Sequence, residues 1–113
     1  MATVRRSNLD RVREIALALP ETHEQITWDE PTLRVRKKIF CFPGEDSMTV
    51  KADPDEREVL LADPRFSLPH YVARFGWVSL RLPGEVDWDE VRELVVTSYC
   101  LIAPKGLAAR VDR

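Results

Sequence analysis

Strict alternation of apolar and polar residues at positions 77–82 constrains this chain more than any other stretch. Val78, Leu80 and Leu82 fall on one side of an extended segment, and Trp77, Ser79 and Arg81 on the other. Successive strand side chains point to opposite faces, so the segment reads as a strand with one wet and one dry side. The same split recurs where Leu33 and Val35 alternate with Thr32, Arg34 and Arg36, and where Met48 and Val50 alternate with Thr49 and Lys51. Three strands with one apolar side each need a second layer to cover it. Their other side is basic and partly aromatic, and is free for water or a ligand.

Helices supply the covering layer. Ser7 with Asp10 opens the first, and Leu9, Val12, Ile15, Ala16 and Leu19 recur at helical spacing before Pro20 stops it. In the last, Asp87 caps, Asp89 and Glu90 favour the positive helix end, and Val91, Leu94, Val95, Ser98 and Ile102 form one stripe ahead of Pro104. A shorter helix starts with Asp53 as N-cap and Pro54 at its first position, and ends at Pro64. Between the helices, the period of two predicts strands at 24–28, 32–36, 39–42 and 48–51. Asp29, Glu30 and Pro31 form one break, Pro43 to Asp46 another, and Arg36, Lys37 and Lys38 a charged tip. Positions 70–74 read as a helical turn ending near Gly76. The order helix, strands, helix, strand, helix predicts an α+β fold: an antiparallel sheet with helices packed on one face, in a single domain over residues 1–113.

Composition narrows the function classes. A chain of 113 residues can bury a core without metal or disulfide support. Its net charge of -2 argues against a generic polyanion binder but leaves room for a local basic patch, since salt screens charges beyond about 10 Å. Cys41 and Cys100 belong to no C-x-x-C and have no histidine at zinc-site spacing, so both read as reduced thiols. His23 and His70 form no catalytic order with Cys41, Ser79 or Ser98, and four glycines build no phosphate-cradling loop. The acidic groups Asp53, Asp55, Glu56 and Asp87, Asp89, Glu90 are explained as caps. No catalytic residue, metal site or cofactor is therefore expected. The chain lacks an apolar run long enough to span a membrane, and Arg5 and Arg6 precede no apolar signal region. A cytoplasmic location is expected.

The elements in this order resemble the MmcQ/YjbR family over nearly the whole chain. The resemblance rests on Ala18-Leu19-Pro20-Glu21-Thr22, on Glu24 before Trp28, and on Pro31-Thr32-Leu33-Arg34-Val35 with Lys38-Ile39-Phe40. It continues through Val50-Lys51, Glu56-Arg57-Glu58 with Leu60-Leu61, and Gly76-Trp77-Val78 with Leu82. It closes with Asp87-Trp88, Glu93-Leu94, Ser98-Tyr99 and Ala103-Pro104-Lys105. The resemblance implies a fold like that of CyaY and the secretion chaperones, and DNA binding, the activity by which members are commonly described.

The expected working surface is the polar sheet side with the charged tip. Arg34, Arg36, Lys37, Lys38, Lys51 and Arg81 have the donor chemistry for phosphates, and Trp77 offers an aromatic face to a base or sugar. Trp28 and Trp88 read as packing residues, and Lys105 as a cation stabilising a helix C-terminus. DNA is the expected partner of this non-enzymatic domain. The alternatives are a protein-interaction module that receives a peptide or a second copy, and a small-anion or nucleotide binder.

Overall fold

The structure, a computed structural model, describes residues 7–111 apart from Tyr71. Arg5 and Arg6 lie outside the described residues. Helix α1 (Asn8–Leu17) begins where the Ser7 hydroxyl accepts the Asp10 amide at 3.1 Å, as the capping pattern predicts. Four strands follow, β1 (Thr22–Thr27), β2 (Glu30–Val35), β3 (Lys38–Phe42) and β4 (Ser47–Lys51), then α2 (Arg57–Leu61) and the short β5 (Phe66–Ser67). A 3₁₀ turn at Ala73–Phe75 ends on Gly76 at a φ of 93° and leads into β6 (Trp77–Arg81). Helix α3 (Trp88–Ile102), capped by Asp87, and the single turn α4 (Lys105–Ala108) are the last of the described elements.

The six strands form one antiparallel sheet in the order β1-β2-β3-β4-β6-β5. Helices α1 and α3 pack on one face of it, as the alternation requires. Leu33, Val35, Met48, Val50, Val78 and Leu80 meet Val12, Ala16, Val91 and Val95 in the core. Among the described residues, no helix is long and apolar enough to cross a membrane.

Three local features depart from the expected pattern. Strand β2 begins at Glu30, so the first hairpin closes through Trp28 and Asp29 alone, with Thr27 paired to Glu30. Both tip residues take left-handed φ values, 50° and 65°. That is the backbone of the tightest hairpin turn, which glycine or asparagine ordinarily fills. Second, α2 starts at Arg57 instead of Pro54, because Asp53 first closes a turn: its carboxylate accepts the Asp55 amide and its carbonyl the Glu56 amide. Third, β3 carries a bulge. Leu33 pairs with Cys41 and Arg34 with Ile39, leaving Phe40 as an extra residue. Phe40 and Cys41 are therefore both fully buried, with the Phe40 ring edge-on to Tyr99 of α3 at 5.4 Å.

The segment from α2 to β5 is tied to α3 by Arg65. Its guanidinium donates to Asp63 at 2.7 Å and to Glu90 at 2.8 Å. The hydrogen bonds from Arg65 hold the Asp63 carboxyl below its ordinary range.

Candidate functional site

Sheet register decides which of the expected contact residues can act together. Lys51 pairs with Trp77 at one end of β4, and Ser47 with Arg81 at the other. The tip of the β2–β3 hairpin lies at the Lys51 end, and the tip of the β1–β2 hairpin at the Arg81 end, because consecutive antiparallel hairpins turn at opposite ends of their shared strand. The seven residues thus divide between two ends of the molecule, with Arg81 standing apart.

The outer face of the sheet differs from expectation in two ways. Trp77 does lie opposite Val78 and Leu80, but it is only 9% exposed. Its indole packs edge-on against Phe42 at 5.5 Å. A side chain so covered has no free face for a base, so Trp77 is a packing residue of a second, small apolar layer. Beside it, the Thr49 and Ser79 hydroxyls meet at 2.6 Å. Arg34 is likewise committed. Its guanidinium donates to the Lys37 carbonyl at 2.9 Å and to the Thr27 hydroxyl at 3.0 Å, and its Nε is buried without a partner. It braces both hairpins of β2. Arg34, Lys51, Trp77 and Arg81 therefore do not form one accessible surface.

The exposed tryptophan is Trp28, at 92%, on the strained tip of the first hairpin. Trp88 is half-buried, with the Arg11 guanidinium stacked on it at 4.2 Å. The expected strand at 24–28 took in Trp28 as a packing residue, whereas β1 ends at Thr27 and Trp28 stands in the turn, where a side chain belongs to neither face of the sheet.

The cations at the β2–β3 tip are exposed as expected. Arg36 occupies the tight turn at a φ of 55° and pairs with Glu21 at 3.3 Å. Among the described residues, Lys37 and Lys38 form no salt bridge. Beside them opens a cleft of about 510 Å³, where the tip faces the joint between α3 and α4. Arg36, Lys37, Lys38 and Lys105 line it, over a floor of Val35, Ile102, Ala103 and Pro104. Lys105 follows Pro104, whose extended backbone turns the chain away from α3, so the residue lines the cleft instead of serving only the helix end. Its proximity to the tip, some 70 residues earlier, had no signal in the sequence.

The remaining polar chemistry is dispersed. Cys41 and Cys100 are free thiols, and burial pushes Cys41 up to about 12. No three of the described His, Cys, Asp and Glu side chains come together as a metal site. The Tyr99 hydroxyl, held by the Pro20 carbonyl at 2.7 Å, is raised above its ordinary range by burial.

The comparisons agree with this fold. The chain is similar over 88% of its length to the crystal structure of Deinococcus radiodurans protein DR2400, which carries a domain designated DUF419. The TM-score is 0.75 at 23% identity, and the match takes in 81% of that chain. At that identity the likeness concerns the fold alone. No curated protein matches. The YjbR family model matches residues 17–101, from the end of α1 to the end of α3, and the chain belongs to the YjbR family.

Proposed function

We propose that this protein is a non-enzymatic nucleic-acid-binding domain that contacts DNA phosphates from the β2–β3 tip. The observation that supports this most is the run Arg36, Lys37, Lys38, exposed on a two-residue turn and the first residue of β3, with two of its three charges unpaired among the described residues. A rigid hairpin tip holds cations in a fixed pattern at little entropic cost, which suits the regular spacing of backbone phosphates. The buried Trp77 and the braced Arg34 drop out of the interface, so contact is to phosphates and little sequence preference is expected. The free thiols suit a reducing cytoplasm.

The test is titration of a DNA duplex at several salt concentrations. Each phosphate contact contributes roughly -0.9 to the log–log salt slope. The pair Lys37→Ala with Lys38→Ala should flatten the slope by about 1.8. Arg81→Ala, at the far end of the sheet, should leave it unchanged. Equal slopes for all three proteins would end this reading.

A second reading rests on a different observation, the exposure of Trp28 at 92% and of Ile26 at 61% beside the open edge of β1. An apolar tip next to an unpaired strand edge suits a protein partner that adds a strand. Loss of such a partner on Trp28→Ala, with DNA binding intact, would separate the two.

A further inference from the structure

We infer that the cleft beside the tip binds a nucleoside polyphosphate, with Lys105 as a phosphate-binding residue. This rests on the reading that the tip cations bind phosphate, and it names a more compact ligand for them. Three properties of the cleft lead there. Its volume of about 510 Å³ falls in the range of sites for single small molecules and is far too small for a duplex. It gathers Arg36, Lys37, Lys38 and Lys105, of which, among the described residues, only Arg36 is paired with an acid, Glu21. Three charges around one cavity, each without an ion pair among the described residues, match the concentrated charge of a di- or triphosphate better than the single charge of a phosphodiester. Finally, Ile102 and Pro104 supply an apolar wall beside the cations, which inorganic phosphate would leave bare and a base or sugar would cover.

A phosphate beside a nucleoside also occurs at the phosphorylated end of a nucleic acid strand, with less charge than a free nucleoside polyphosphate carries. Calorimetric titration with ATP, with inorganic tripolyphosphate, and with short thymidylate strands bearing a 5′-phosphate or a 5′-hydroxyl separates them. ATP should bind the wild type at low salt more tightly than tripolyphosphate does. Lys105→Ala should weaken ATP roughly tenfold, the loss of one charged hydrogen bond. Arg81→Ala should bind ATP as the wild type does. If the 5′-phosphate strand binds more tightly than its 5′-hydroxyl form and than ATP, the cleft takes strand ends and the inference of a polyphosphate ligand falls. Equal binding of the two strands, with ATP bound, assigns it to free nucleotides. No binding of ATP, equal weakening by Lys105→Ala and Arg81→Ala, or tripolyphosphate binding as tightly as ATP would overturn the inference. Failure of duplex binding with ATP binding intact would overturn only the proposed function, and the converse only this one.

Discussion

The Ser98 hydroxyl, fully buried on α3, donates to the Phe40 carbonyl at 2.6 Å and accepts the Lys51 amide at 2.9 Å. The bulge at Phe40 disturbs the ladder on β3, and one hydroxyl from the helix satisfies a backbone group on each of two neighbouring strands. Ser98→Ala should lower unfolding free energy by about 1–3 kcal/mol, the cost of leaving a buried donor and acceptor unpaired. Urea denaturation checks it. A loss within 0.5 kcal/mol, about the effect of an ordinary surface change, would count against this bridge.

Trp77 in the sheet and Trp28 on the hairpin tip should behave oppositely. Trp77→Ala removes a covered ring packed on Phe42 and should cost roughly 3–5 kcal/mol. Trp28→Gly should stabilise the fold by about 1 kcal/mol, because glycine accepts the φ of 50° without the strain a large side chain meets there. Acrylamide quenching of tryptophan fluorescence should fall sharply in Trp28→Gly, since the most exposed of the indoles is gone.

Alkaline stability reports on Cys41. Its buried thiol is pushed from the ordinary 9.0 to about 12, so between those values the unfolded chain loses this proton and the native chain keeps it. The contribution is complete below pH 9 and is lost as pH rises toward 12, at up to about 1.4 kcal/mol per pH unit. Cys41→Ala lacks this linkage, so the wild type's stability advantage over it should shrink above pH 9. Chemical denaturation of both proteins across that window checks the sign.

Glu21 restrains the positive charge of the tip through Arg36 at 3.3 Å. Glu21→Gln frees that guanidinium, and DNA affinity at low salt should rise, with a salt slope steeper by up to about 0.9. An unchanged slope would show that Arg36 touches no phosphate.

The sequence determined the two-layer fold because its evidence is local. Alternation at Val78, Leu80 and Leu82 and the stripe from Val91 to Ser98 each prescribe a buried face, and burying both requires helix on sheet. Caps at Ser7 and Asp87 are equally legible, since a capping side chain bonds an amide two or three residues away. The exposed charges of Arg36, Lys37 and Lys38 follow from their place in a turn. Tertiary structure alone decided the rest. Trp77 is polar-side by period yet covered, because Phe42 reaches it across the sheet from another strand. Arg34 is consumed by Thr27 and Lys37, through a side-chain reach that no spacing rule describes. Lys105 meets the tip only because α3 runs back across the sheet and ends there. Alternation states which face a side chain leaves from, whereas accessibility depends on which distant residues the fold lays beside it.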